Sequence, residues 1–181
     1  MQAEAPPPAQ PPAQGTGLLS GPRRMPLMGG AVAALVILLD QLVKAWALHV
    51  YELPRRGHVD LSPVMDLTMV WNRGVSFGML QAGDGFGRWA YVVFALGASA
   101  ALAWWLSRTP RPLLGLALGM VIGGAIGNAI DRIVHGAVAD FLDFSDVFFP
   151  WVFNIADAGI SVGVALMLLD SLLARDGDEK S

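Results

Sequence analysis

Two aspartates in the second half of the chain have the residue type for acid–base chemistry. Asp157 lies in FNIADAGI (153–160), three residues after Asn154, and Asp140 lies in the polar stretch before it. Neither aspartate has a basic residue one helical turn away. Two carboxylates brought together in a low-dielectric site do not easily both ionise, so they share a proton and titrate as a coupled pair. One can then activate water while the other donates a proton, as in aspartic proteases.

The remaining charged residues within apolar segments also have structural interpretations. Asp40 and Lys44 form an i, i+4 pair that can fix helix register as a buried ion pair. Asp131 and Arg132 suggest a similar pair, or a guanidinium fork for a carboxylate or lipid phosphate. Asp170, near the end of the last apolar segment, is placed to reach the lipid headgroups. These residues therefore do not require catalysis to explain them.

Two asparagines accompany the charged residues. Asn128 and Asn154 each lie at one end of an apolar segment. Amide side chains hydrogen-bond between membrane helices and contribute roughly 1 kcal/mol each. Both asparagines are therefore explained by helix packing, by a role beside the aspartates, or by both.

The composition indicates which elements must position these side chains. The chain of 181 residues is 54% hydrophobic and only 15% charged, whereas a soluble domain has about 25% charged residues. Its mean hydropathy is +0.51, which favours an integral membrane protein. A net charge of −3 argues against nucleic-acid binding. The absence of cysteine excludes disulfides and thiolate metal sites, and the three histidines lack metal-ligand spacing.

Four apolar runs predict four transmembrane helices. Each has about 20 residues, enough to cross a hydrocarbon core of roughly 30 Å. The runs cover residues 29–50, 89–107, 112–130 and 151–174. We expect an all-α membrane protein in which one domain of four transmembrane helices, 29–174, follows a disordered Pro-rich tail, 1–28, and precedes a polar tail, 175–181.

The two long loops predict a small β-sheet. They cover residues 51–88 and 132–150, and within them 65–71 and 136–144 have strand-like composition. Side-by-side pairing of these pieces would form a sheet at the outer membrane face. Arg108 and Arg111 in the short loop between helices two and three favour cytoplasmic termini, although basic residues in the 51–88 loop weaken this bias.

Two features of the spans leave alternatives open. The first run resembles a cleaved signal peptide, with Arg23 and Arg24 before it, but Asp40 and Lys44 inside it argue against one. The third run has glycine at every fourth position: Gly115, Gly119, Gly123 and Gly127. This row is typical of close helix packing, and a groove for a lipid chain is the alternative.

Five motifs in order resemble the lipoprotein signal peptidase family, also called signal peptidase II. They are DQLVK (40–44), NRGVSFGML (72–80), GNAIDR (127–132), GAVADF (136–141) and FNIADAGI (153–160). Each motif alone is weak, but five in the family's order within four apolar runs are specific. The resemblance covers roughly residues 30–170 and leaves out the Pro-rich tail.

The resemblance implies roles for residues that match the family's motifs. Asp140 and Asp157 match the catalytic aspartates. Four residues match polar residues that position the substrate or the aspartates in the family: Asn72, Asn128, Arg132 and Asn154. Three further residues match motif residues that serve as structural support: Asp40, Lys44 and Asp131. Asp143 and Asp146 crowd the same loop, but the family pattern selects Asp140.

The resemblance also implies the reaction. The family cleaves the signal peptide from bacterial prolipoproteins, just before a cysteine that carries a diacylglyceryl group. We expect a monomer in the bacterial inner membrane that contacts membrane lipids, has its active site near the outer face, and needs no metal or other cofactor.

Three rival functions remain. A presenilin-type protease also uses two aspartates, but its G-x-G-D pattern is missing, since residues 82–85 read AGDG. A transporter or channel would use intramembrane carboxylates for ions or protons, with Asp40 and Asp131 at its centre. A lipid-binding scaffold would use the glycine row.

Overall fold

Four long helices dominate the computed structural model, which describes residues 24–74, 85–147 and 149–178. The helices are α1 (Arg24–Ala45, continued by a π-helical turn at Trp46–Val50), α3 (Phe86–Leu106), α4 (Pro112–His135) and α5 (Ile155–Asp178), with a short α2 (Leu53–Arg56) after the first. All four are long and apolar enough to cross a membrane. The prediction of four spans is confirmed. Most of the predicted tail, residues 1–23, and part of the second motif, residues 75–80, lie outside the described residues.

A four-stranded antiparallel sheet forms from the two long loops. Its strands are β1 (His58–Ser62), β2 (Met65–Asn72), β3 (Val138–Phe144) and β4 (Phe149–Phe153), in the order β1-β2-β3-β4. The predicted pairing of β2 with β3 is confirmed, with Val70 opposite Asp140 and Asn72 opposite Val138. The edge strands β1 and β4 were not predicted.

The predicted start of the last helix at residue 151 is wrong. Phe149–Phe153 form β4, and α5 begins at Ile155 after Asn154. Pro150 has no N–H to donate, which an edge strand tolerates, and β4 lies at the edge of the sheet. The apolar composition of the strand joined it to the helix in the hydropathy pattern.

Other helix ends also differ from the predicted ones. α4 continues past residue 130 to His135 and ends where Gly136 adopts a left-handed φ of 78°, a conformation suited to glycine after a helix. α1 begins at Arg24, five residues before the predicted start at residue 29, and α5 extends to Asp178. Asp131 and Arg132 consequently lie within a helix, one turn before its end.

Helix α4 is the centre of the bundle and packs against α1, α3 and α5. In its most apolar stretch 61% of residues are buried, against 22% or less in the other spans. The glycine row explains the close approach to α1: a Cβ on Gly119 would overlap the backbone of Gly29, and one on Gly123 would lie 2.7 Å from the Ala33 carbonyl oxygen. The row is therefore a helix–helix contact, which excludes the lipid-groove interpretation for these two positions.

The sheet is seated on the end of α1 by a small apolar cluster. Phe141 of β3 is 1% exposed and packs with Ala47, Leu53 and Leu67. Because successive side chains in a strand point to opposite faces, burial of Phe141 directs its neighbour Asp140 to the other face. The cluster thus fixes the orientation of one of the two candidate aspartates.

Candidate active site

Asp140 projects from β3 into a pair of amide donors. Asn72 Nδ2 donates to Asp140 Oδ2 at 3.0 Å, and Asn154 Nδ2 donates to Oδ1 at 2.6 Å. Asn72 lies on β2 beside this part of β3 and is held by the Gly74 N–H, which donates to its Oδ1 at 2.9 Å. Both carboxylate oxygens therefore have a neutral donor, and Asp140 is only 2% exposed.

Asp157 is fixed by the start of α5. The Asp157 N–H donates to Asn154 Oδ1 at 3.0 Å, while Asp157 Oδ2 accepts the Asn154 N–H at 3.3 Å. This reciprocal arrangement is a capping box, in which the residue before the helix and the third helical residue satisfy each other's N–H groups. The three-residue spacing of FNIAD thus sets both the helix start and the position of the carboxylate. Asn154 lies before the helix, whereas its place in the apolar run predicted a residue within it.

Asn128 and Asn154 link the two aspartates. Asn128 Nδ2 donates to Asp157 Oδ1 at 2.7 Å, and Asn154 Nδ2 donates both to Asn128 Oδ1 at 3.1 Å and to Asp140. Strand β3, helix α4 and the start of α5 therefore bring Asp140 and Asp157 into one hydrogen-bonded cluster. The proximity predicted from sequence is present, and all linking donors are uncharged.

The environment of Asp140 favours its protonated form. Burial raises the pKa of Asp140 to about 6, and the negative charge of Asp157 adds to the rise. The hydrogen bonds from Asn72 and Asn154 and the charge of Lys44 act in the opposite direction. A carboxyl with its pKa in this range can accept or release a proton near neutral pH, which acid–base catalysis requires.

A second group of buried charges, called the lower group below, lies beside the Asp140–Asp157 cluster, which is called the upper group. Lys44 Nζ is 2.8 Å from Asp40 Oδ2 and 2.8 Å from Asp131 Oδ2, and all three side chains are almost fully buried. The predicted Asp40–Lys44 pair is present. The predicted pairing of Asp131 with Arg132 is wrong, because Asp131 forms its ion pair with Lys44 on α1.

The two carboxylates of the lower group, Asp40 and Asp131, also accept hydrogen bonds from backbone N–H groups next to the candidate aspartates. Asp40 Oδ1 accepts the Ala156 N–H at 2.9 Å, one residue before Asp157. Asp131 Oδ2 accepts the Ala139 N–H at 3.0 Å, one residue before Asp140. Each lower carboxylate therefore positions the backbone of one upper aspartate, and Lys44 joins the two.

Gln41 completes the lower group and was missed in the sequence. Its Nε2 lies 3.1 Å from Asp40 Oδ2, 3.0 Å from Asp131 Oδ1 and 3.4 Å from the Gly127 carbonyl oxygen. Gly127 must lack a side chain here, since a Cβ would lie 2.8 Å from Asp40 Oδ2. The sequence signal that could have identified it was a polar glutamine beside Asp40 in an apolar run.

Arg132 lies half-buried near the same cluster. Its Nη1 donates to the Asn128 carbonyl oxygen at 3.2 Å, and its guanidinium lies 5.1 Å from the centre of the Tyr91 ring. It therefore flanks Asn128, the residue that binds Asp157.

The other acidic side chains have ordinary structural partners. Asp143 accepts from the Thr68 hydroxyl at 2.6 Å and from the Ser145 N–H at 2.9 Å, and these bonds lower its pKa. Asp170 is buried and pairs with Arg111 at 2.9 Å, so the expectation that it reaches the headgroups is wrong. Asp146 is exposed in a short 3₁₀ turn.

One His/Asp group within the described residues has the spacing for a metal ion. Ligand atoms of His58 and Asp60 on β1 and of Asp66 on β2 lie within 4.8 Å of one another. Both ring nitrogens of His58 already have partners, Thr68 Oγ1 at 2.8 Å and Asp60 Oδ1 at 2.7 Å. The contact with Asp60 raises the pKa of His58. These bonds account for the arrangement without a metal.

Comparison with known proteins gives a consistent result. Residues 32–173 match the family profile described as signal peptidase II. A lipoprotein signal peptidase of Caulobacter vibrioides is 48% identical over 147 residues, covering 81% of this chain and 87% of the relative, and one of Beijerinckia indica is 45% identical over 151 residues, covering 83% and 90%. A solved structure of a bacterial membrane enzyme superposes with a TM-score of 0.70 at 24% identity, covering 84% of this chain and 91% of that one, and supports the fold.

Proposed function

The chain belongs to the signal peptidase II family, the membrane proteases that process prolipoproteins, and on this premise we propose that Asp140 and Asp157 are its catalytic dyad. The observation that carries the proposal is the hydrogen-bonded path from Asp140 through Asn154 and Asn128 to Asp157. It holds a buried carboxylate and a half-buried one in a single cluster, and neither forms an ion pair with a described residue. Such a pair can share one proton.

The reaction follows from one shared proton. The ionised aspartate removes a proton from water, and the resulting hydroxide forms a bond to the carbonyl carbon of the scissile peptide. The protonated aspartate donates its proton to the carbonyl oxygen, giving a tetrahedral diol. Transfer of a proton to the amide nitrogen then breaks the C–N bond and releases the two peptides. The proton count is unchanged after one turnover.

The neighbouring polar residues act on this pair. Asn72 and Asn154 orient Asp140, and Asn128 orients Asp157. Asn128 cannot reverse its amide, because its Oδ1 already accepts from Lys44 at 3.3 Å and from Asn154. Arg132 is placed to bind substrate carbonyl oxygens near Asn128. Asp40, Lys44 and Asp131 support the backbone.

The substrate is a prolipoprotein whose cysteine carries a diacylglyceryl group, cut on the N-terminal side of that cysteine. The dyad lies where the sheet meets the ends of α4 and α5, a depth at which a lipid-bearing peptide can be reached from the bilayer. We place this end at the outer face of the inner membrane and both termini in the cytoplasm, because Arg108 and Arg111 lie at the opposite end. Residues 29–174 form the peptidase domain, which acts as a monomer in contact with membrane lipids.

The decisive experiment compares cleavage of a diacylglyceryl-modified prolipoprotein with cleavage of its unlipidated form. Wild type, Asp140→Asn and Asp157→Asn are purified in detergent and checked for folding by thermal unfolding. We expect wild type to cut only the lipidated substrate, and both folded variants to lose at least about a thousandfold in rate. Asp143→Asn, which removes a carboxylate three residues further along β3, is the matched control. Near-normal activity of either dyad variant would exclude this mechanism.

A further inference from the structure

A polar cavity lies on the opposite face of β2 from the dyad. Asn72 reaches Asp140, and side chains alternate along a strand, so Trp71 points to the other face. There its ring packs against His135, with centroids 5.6 Å apart. The cavity is about 560 Å³ in volume, and its described lining includes Arg73 and Arg88 but no acidic residue.

Arg88 is fixed in this cavity with donor capacity left over. Its Nη2 donates to the Ile133 carbonyl oxygen at 2.6 Å, which joins the start of α3 to the end of α4. Its Nε is buried and has no hydrogen-bond partner among the described residues. An N–H donor without an acceptor is unfavourable, so this half-buried guanidinium favours an anionic oxygen beside it.

The surroundings place the cavity at the level of lipid headgroups. It lies between the first turn of α3 and the last turn of α4, two helices that cross the membrane. The neighbouring outer surface is apolar and exposed: Phe86 is 75%, Val134 65% and Trp89 52% exposed. Aromatic residues are enriched where hydrocarbon meets headgroups. A lipid with acyl chains on this surface would place its phosphate at the cavity.

We propose that Arg73, Arg88 and His135 form a binding site for the phosphate of an anionic phospholipid, separate from the peptidase site. Two guanidinium groups and an imidazole supply the donors, and Trp71 closes the apolar side. The ligand is a resident membrane lipid. The proposal holds whether or not Asp140 and Asp157 are catalytic.

The test measures lipid binding rather than cleavage. Purified protein in detergent is titrated with dioctanoyl phosphatidylglycerol, with dioctanoylglycerol, which has the same chains without phosphate, and with inorganic phosphate. Bound lipid is counted by native mass spectrometry, and the melting temperature is followed in parallel. We expect phosphatidylglycerol to bind and stabilise wild type more than either control.

Three variants make the result specific. Arg73→Gln, at an exposed position, should weaken binding about threefold, and Arg73→Gln with Arg88→Gln about tenfold or more. Arg108→Gln is the matched control, because Arg108 lies 4.2 Å from the Trp104 ring at the other end of α3. Equal binding of dioctanoylglycerol, equal stabilisation by inorganic phosphate, or an equal loss in Arg108→Gln would overturn the proposal.

Discussion

Two groups of carboxylates lie side by side at one end of this bundle and are held by different kinds of partner. Asp40 and Asp131 share a lysine, whose Nζ lies 2.8 Å from a carboxylate oxygen of each. Asp140 and Asp157 are held by side-chain amides, which donate hydrogen bonds but carry no charge. A cation stabilises the ionised form strongly, whereas amides orient a carboxylate and leave its proton exchangeable. The difference separates a scaffold from a site able to perform acid–base chemistry.

The largest expected effect comes from removing the cation of the lower group. Lys44→Met leaves Asp40 and Asp131 buried without a counter-charge, which costs about 3–5 kcal/mol of unfolding free energy. Activity should fall with stability, because Asp40 and Asp131 position the backbone beside the proposed dyad. Denaturation in mixed micelles measures the change. Lys44→Met combined with Asp131→Asn should recover part of the loss, and a double variant no more stable than the single one would contradict the charge argument.

The pH dependence of stability tests the upper group. Burial raises the pKa of Asp140 from 3.8 to about 6. Between these values the folded state binds more protons than the unfolded state, so the unfolding free energy falls as pH rises, by up to about 3 kcal/mol. Asp140→Asn lacks this decrease. Melting temperatures at pH 4 to 8 should therefore shift in favour of the variant as pH rises, and parallel curves would show that Asp140 titrates normally.

A smaller effect is expected from one of the amides. Asn128→Ala removes the hydrogen bond to Asp157 and the bonds that Asn128 accepts from Asn154 and Lys44, but it leaves both ion pairs of Lys44 in place. We expect kcat/KM to fall about tenfold to thirtyfold while the unfolding free energy changes by about 1 kcal/mol. Steady-state cleavage and thermal unfolding of the same preparation separate the two effects. A large loss of stability with little change in rate would place Asn128 in the scaffold instead.

The smallest effect is expected outside both groups. Asp143 lies on the same strand as Asp140, but it is bonded to Thr68 and Ser145 and its pKa is lowered. Asp143→Asn should leave cleavage within about twofold of wild type and cost about 1 kcal/mol or less. Loss of activity in this variant would show that a carboxylate outside both groups is needed for cleavage.

The local sequence predicted the helices and strands better than it predicted the contacts between distant residues. Hydropathy located four spans, and composition located β2 and β3, because these signals depend on neighbouring residues. β4 was missed since FFPWVF is as apolar as the helix that follows it. Asn154, three residues before an acidic residue, was the available sign of the true helix start.

The contacts of the site depend on residues far apart in the chain. Asp131 and Arg132 are adjacent in sequence, but successive helical residues are rotated by about 100°, so one faces Lys44 and the other Tyr91. The bond from Ala156 to Asp40 joins residues 116 positions apart. No local pattern indicates that pairing. The family resemblance supplied the choice of Asp140 over Asp143.

The capping box at the start of α5 has a consequence for biosynthesis. Asp157 and the Ala156 N–H are the last parts of the buried polar cluster to leave the ribosome. Both join the cluster only when α5 inserts beside α4. Before that moment Asp40 lacks one of its acceptor bonds, and Asp140 has no second carboxylate. A chain truncated before α5 lacks Asp157 and therefore cannot assemble the proposed dyad.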